Sequence, residues 1–308
     1  MSLEKTKTVV TGGRGFLGGF ACRALNKRGA AVTPIGSSDY NLIEQADVRR
    51  MYETLQPELV IHLAAACGGI QSNVENPGRF LYENALMGLM LLEEGRRRNL
   101  KKFILISTIC SYPKDAPLPL KEEDIWTGKP VGATGPYGMA KRLLHEACET
   151  YGRQYGMPCV VLVPSNLYGP EDHFEEGRSH AVPAIIRRYI EAKADGLQEV
   201  CNWGTGTPTR EFLHVADAAE AIALAAQKDL PCEPINLGTG IETSIADLTN
   251  IIAAAVGYEG NVAWDTSKPD GQSKRFMDVS RARELLGFEA KISLKDGIRE
   301  TVEWYRAQ

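Results

Sequence analysis

The chain has 308 residues, 44% of them hydrophobic and 24% charged, with a formal net charge of -4. That length exceeds what one small core usually spans, so a large α/β domain with an appended lobe, or two domains, is expected. The acidic balance argues against a nucleic-acid surface, and no apolar run approaches the ~20 residues needed to cross a bilayer, so neither a nucleic acid nor a membrane is an expected partner.

The opening stretch MSLEKTKTVV lacks a secretory pattern. The seven cysteines, at 22, 67, 110, 148, 159, 201 and 232, form no CxxC pair and no ligand-spaced cluster with the five histidines. Reduced thiols in a cytoplasmic protein without a metal site are the expectation. The basic run GRRRNLKK at 95–102 reads as a solvated helix end whose cations complement the C-terminal dipole.

Strand-like apolar runs alternate with helical patterns: TVVTG (8–12), a helix over 16–29, AVTPIG (31–36), LVIHLA (59–64), a helix near 80–98, and KFILIS (102–107). This alternation predicts βαβ units and a doubly wound parallel sheet of the α/β (Rossmann) class. A long helix follows Pro136, near 137–155, and leads to the strand CVVLVPS (159–165). NLYGPEDHFEEGRSH then reads as a loop lining a cleft, followed by a helix over 182–194. REFLHV (210–215), a helix near 216–227 and PINLG (234–238) are expected to return to the main sheet. A helix over 244–256, the strand NVAWD (261–265) and helices near 280–287 and 294–307 complete the chain. The division is residues 1–165, with returning segments near 210–240, as a dinucleotide-binding domain, and 166–209 with 241–308 as a smaller substrate-binding lobe.

GGRGFLG places Gly12, Gly15 and Gly18 in the G-x-x-G-x-x-G spacing between a strand and a helix. Glycines allow the tight turn and the close backbone approach by which a pyrophosphate reaches the positive helix N-terminus. The strand AVTPIG ends without the acid that would bind a ribose 2'-hydroxyl, and GSS follows, with Asp39 only further on. Small hydroxyl residues leave room for a 2'-phosphate and Arg14 supplies a cation, which favours NADP over NAD. In the opposing reading Arg14 is merely solvated and Asp39 folds back to the ribose.

In PYGMAK, Tyr137 and Lys141 stand four apart and share a helical face. A tyrosine of pKa ~10 is a poor acid-base group near neutrality, and a neighbouring ammonium would lower that value. The spacing alone also occurs in ordinary surface helices.

TGGRGFLG, VIHLAA, a hydroxyl residue after KFILIS, and Tyr137-x-x-x-Lys141 together resemble the extended short-chain dehydrogenase/reductases over essentially the whole chain. The resemblance implies NAD(P)-dependent redox chemistry on nucleotide sugars. Tyr137 would exchange a proton with the sugar oxygen, Lys141 would tune it and hold the cofactor, and Thr108, with Ser107 as competitor, would hydrogen-bond the same oxygen. Phe16, Leu17, Ala64 and Asn84 would lie along the cofactor.

Within that family, AAACGGIQSN, TICSYPK, NLYGP, SHAVPAIIRR, WGTGTPTREFLHV and SKPDG are similar to the GDP-fucose synthase branch, which epimerises at C3 and C5 and reduces at C4 a GDP-linked 4-keto-6-deoxy sugar. That similarity puts Cys110 and His180 at the proton-transfer pair, and Arg188, Trp203, Arg210 and Arg275 on the substrate side. The chemistry suits the residue types: hydrogens flanking a ketone need one base and one acid on opposite faces, and a thiol and an imidazole both titrate near neutrality. Taken alone, a cysteine at a strand end is more often packing than catalysis. A 4-epimerase or dehydratase that retains NAD, and a non-catalytic dinucleotide sensor, are the competing functions. The resemblance also implies a homodimer through the helices near 80–98 and 137–155.

Overall fold

The computed structural model describes residues 1–175, 179–268 and 270–308. The first half comprises β1 (Lys7–Thr11), α1 (Phe16–Asn26), β2 (Ala31–Ile35), α2 (Gln45–Leu55), β3 (Leu59–His62), α3 (Ile70–Glu75), α4 (Pro77–Arg97) and β4 (Lys102–Ile106). A 3-10 turn at Ile109–Ser111 leads on to α5 (Gly135–Tyr155) and β5 (Cys159–Pro164). Then come β6 (Asn166–Tyr168), α6 (Ala181–Ala194), β7 (Glu199–Trp203), β8 (Thr209–Arg210), β9 (Phe212–His214) and α7 (Val215–Gln227). The chain finishes with β10 (Pro234–Leu237), β11 (Thr243–Ser244), α8 (Ile245–Val256), β12 (Asn261–Asp265) and α9 (Leu294–Arg306).

Six parallel strands form the central sheet in the order β2-β1-β3-β4-β5-β10. Its strands are apolar on both faces because each face is covered. Phe103, Leu105, Val161 and Val163 enter one core with residues of α2, α4 and α5, while Ile104, Ile106, Val160 and Leu162 enter a second with residues of α1 and α7. The strand order reverses between β1 and β3, so the loops leaving their carboxyl ends diverge and open a crevice. A third core joins Tyr168 and Phe212 to residues of α6, α8 and α9. No described helix is long and apolar enough to cross a membrane.

The structure departs from the sequence reading in several elements. The stretch between the second and third strands, read without an element, contains α2, which buries Val48, Met51 and Tyr52 at helical spacing. Of the returning segments, only Pro234–Leu237 joins the main sheet; Phe212–His214 pairs in parallel with Asn166–Tyr168. Near 280–287 there is only a wide π-type turn at Ala282–Leu286, which ends at Gly287 with φ +62.

Glu211, between β8 and β9, is fully buried and accepts backbone N–H groups from Thr239 (2.6 Å), Gly240 (2.8 Å) and Met277 (2.8 Å). One carboxylate thereby ties the strand pair to the loop after β10 and to the segment carrying Arg275. Lys102, in the basic run, is buried rather than solvated and donates to the carbonyls of Ala225 and Ala226 at the end of α7.

Candidate active site

At the carboxyl end of β1, Gly12 takes φ +66, and a Cβ there would lie 2.9 Å from the Ala64 nitrogen. A Cβ on Gly18 would lie 2.1 Å from the Gly12 carbonyl oxygen, so only glycine lets α1 start so close to the loop. Gly15 caps α1 without a side chain, and no acid occupies the helix's first turn. The first-turn N–H groups, those of Phe16 and Leu17 among them, are therefore free of an internal anion, as a pyrophosphate requires. Asn84 is buried and clamps the facing loop, accepting from Ala66 N (3.0 Å) and donating to Ala66 O (2.8 Å). Ala64 N donates to Thr11 Oγ1 at 3.2 Å. The cradle fits a dinucleotide.

Arg14 is exposed but paired. Its Nη2 pairs with Asp39 Oδ1 at 3.0 Å and its Nη1 reaches Ser38 Oγ at 3.4 Å. Asp39 also accepts Gly36 N at 2.8 Å, and that N–H together with the guanidinium holds the carboxyl below its usual range. The acid expected to stand aside has folded back to the end of β2.

The catalytic candidates meet where β4 runs out. Thr108 caps the 3-10 turn, its Oγ1 accepting from Cys110 N at 3.1 Å, which leaves the hydroxyl proton to donate outward. The competing Ser107 is buried with its hydroxyl held by His145 and Ser111, so Thr108 is the available group. Lys141 is buried and donates to Ile106 O at 2.9 Å, with its Nζ 5.9 Å from the centre of the Tyr137 ring. Burial depresses Lys141 to about 8. The expected lowering of Tyr137 does not occur: burial and the thiols of Cys67 and Cys110 push it well above its ordinary value. Desolvation dominates, so Tyr137 is a neutral phenol, the form a proton donor needs.

Cys110 is half-buried and lines a cavity of about 750 Å³ together with Tyr112, Lys114, Gln272, Lys274 and Arg275. Arg210 donates to the carbonyls of Thr209 (2.6 Å) and Gln272 (2.7 Å), while Arg188 reaches Asn202 Oδ1 at 3.2 Å. Burial and the charge of Arg275 lower Arg210. Trp203 is 74% exposed at the end of β7. His180 stands exposed at the N-cap of α6, its imidazole lowered by partial desolvation and by His173; among the described residues it does not line the Cys110 cavity.

A model of the NAD dependent epimerase/dehydratase family matches residues 8–238. The chain belongs to this family. It is 36% identical over 306 residues to GDP-L-fucose synthase 1 of Arabidopsis thaliana, covering 99% of this chain and 94% of the relative. It is also 36% identical to GDP-L-fucose synthase of Escherichia coli K12, covering 98% and 97%. Among solved structures, a GDP-D-glycero-L-gluco-heptose synthase from Campylobacter jejuni in the presence of NADPH superposes with TM-score 0.91 at 30% identity, covering 100% of this chain and 99% of that one.

In this epimerase/dehydratase family member the sequence reading passed over several residues that build the site. A Cβ on Gly138 would lie 2.2 Å from the Cys110 carbonyl oxygen, so the glycine after Tyr137 lets the first turn of α5 press on the thiol's own peptide. The signal was present in PYGMAK, but it has meaning only once the two segments touch. Arg142 Nε donates to Ser111 O at 2.6 Å. Asp270, in the quoted SKPDG, accepts Thr205 N (2.9 Å) and Thr205 Oγ1 (2.7 Å), closing the WGTG loop.

Gly138→Ala is expected to cost about 2 kcal/mol through overpacking and to change the rate at which iodoacetamide alkylates Cys110. Urea denaturation and peptide mass spectrometry check this; unchanged stability and alkylation would show that the contact is relaxed at no cost.

Proposed function

We propose that the protein is an NADP-dependent epimerase/reductase acting on a GDP-linked 4-keto-6-deoxyhexose. The observation that carries this reading is the convergence of Thr108, Cys110, Tyr137 and Lys141 on one turn-helix junction beside a dinucleotide cradle. The GDP-L-fucose synthases to which the chain is similar support the substrate class.

In this reading the Cys110 thiolate removes the hydrogen at C3 or C5, leaving an enolate on the C4 carbonyl, and His180 returns a proton to the opposite face. Thr108 donates its hydroxyl hydrogen to the C4 oxygen, where the enolate charge gathers. Bound NADPH supplies the hydride that reduces C4. Tyr137 gives its phenolic proton to the resulting oxygen, and the Lys141 ammonium stabilises the phenolate left behind. Arg210 and Arg275, with Arg188 nearby, provide the positive charge that an acidic protein must concentrate for a diphosphate. The exposed indole of Trp203, with Lys268 Nζ 5.8 Å from its ring, offers a flat surface for the base or sugar. A GDP-heptose is the second reading, favoured by the likeness to the Campylobacter heptose synthase.

A homodimer is supported by Leu81 and Tyr82 on α4 and by Met139 and Leu143 on α5, all exposed on helices that pack together. Cysteines outside any disulfide are consistent with the cytoplasm.

With GDP-4-keto-6-deoxy-mannose in deuterated water, the enzyme is expected to consume one NADPH per product and to place deuterium at C3 and C5. Cys110→Ser should abolish the deuterium while leaving ketone reduction measurable by NADPH absorbance. Redox-neutral turnover would overturn the reductase, undiminished exchange would remove Cys110 from the mechanism, and turnover of a GDP-4-keto-heptose alone would select the second reading.

Lys141 is charged below about 8 and loses its proton as pH rises through that value. The kcat of ketone reduction should therefore hold from pH 6 to 7 and fall above about pH 8; a profile flat to pH 10 would show that the ammonium is not needed. Arg14→Ala should lower kcat/KM for NADPH about tenfold and change that for NADH less than about threefold. Equal losses for the two cofactors would mean that Arg14 does not read the 2'-phosphate.

A further inference from the structure

Arg275 lies among the cations proposed for the diphosphate, but much of its guanidinium faces elsewhere. Nη2 donates to the carbonyl of Ile109 and stands 3.5 Å from that of Tyr112, and these two carbonyls bracket Cys110 in the 3-10 turn. Nη1 donates to Gln272 Oε1 at 3.2 Å, and Nε is buried without a partner. Among the described residues no carboxylate pairs with it.

The acidic groups that share its electrostatic surroundings are the Cys110 thiol and the Tyr112 phenol. Tyr112 is buried, donates to Asn236 Oδ1 at 2.7 Å and is pushed far above its ordinary value, so it stays neutral. Asp115 and Asp270 also line the cavity that Cys110 and Arg275 share, but Asp270 is held by Thr205 and neither pairs with Arg275, whose guanidinium instead grips the carbonyls on either side of Cys110. From the other side of the turn Arg142 holds Ser111 O, and Gly138 packs on the Cys110 carbonyl.

We propose that Arg275 is a positioning residue for Cys110: it fixes the turn that carries the sulfur and acts as counter-ion to the thiolate that takes the substrate proton. This rests on the reading of Cys110 as the epimerisation base. It assigns Arg275 a task that a ligand of the substrate phosphates would not have.

The test uses the full-length enzyme with Arg275→Met and Arg275→Lys. Cys110 alkylation by iodoacetamide at pH 7.5, without substrate, is expected to slow at least about fivefold in the methionine variant and to recover by at least about half in the lysine variant, which restores the charge. Deuterium exchange into GDP-4-keto-6-deoxy-mannose should lose at least about tenfold in kcat, beyond any rise in KM from the lost diphosphate contact. Should the methionine variant fail to fold by circular dichroism, Arg275→Gln, which keeps an amide donor but no charge, carries the same expectation. Alkylation at the parent rate, or a raised KM with undiminished exchange kcat, would overturn the proposal and leave Arg275 a phosphate ligand. Because the alkylation arm contains no substrate, a parent enzyme that exchanges no deuterium would count against the GDP-sugar reading alone.

Discussion

The close approach of the 3-10 turn at Ile109–Ser111 to the first turn of α5 is the contact on which the site depends. Gly138 permits it, since any Cβ there would strike the Cys110 carbonyl. Lys141, one helical turn further on, reaches Ile106 O and so fastens α5 to the last residue of β4. The thiol, the capping hydroxyl of Thr108, the phenol and the ammonium are then held by two short segments of a packed sheet-helix core. Such support matters because a displacement of an ångström in a reacting group costs orders of magnitude in rate.

Burial governs the electrostatics. Tyr137 stays protonated, Lys141 is brought to about 8, and the buried His62 and His145, the latter brought to about 3, remain neutral. Around the cavity Lys274 pairs with Glu242 at 3.2 Å, while among the described residues neither Arg210 nor Arg275 has a carboxylate partner. Arg210 and Arg275 make their hydrogen bonds chiefly to carbonyl oxygens, which orient a guanidinium without cancelling its charge. Glu211, the buried acid next to Arg210 in sequence, gives its oxygens to backbone N–H groups. It holds the strand and the Arg275 segment together without quenching either arginine.

Much of this was legible from local pattern. The alternation of apolar runs with helical spacing gives the parallel sheet its order of elements because a strand covered on both faces must be apolar on both, as Phe103 to Ile106 are. The glycines of the first turn were readable because their role is set by backbone sterics within seven residues. The placing of α2 was missed because its apolar positions are few within a charged stretch. Phe212–His214 looked like a strand of the main sheet, and nothing in three buried residues says which neighbour they will pair with.

The sequence by itself determined the alternation of strands and helices in the main sheet and the dinucleotide turn, because each is written in spacings of a few residues. Tertiary structure alone decided which groups are charged and which are held. The direction of Tyr137's titration, the pairing of Arg14 with Asp39, and the turning of Arg275 toward the Cys110 peptide all follow from desolvation and from contacts between segments far apart in the chain. Those forces depend on distance in space, which no local pattern encodes.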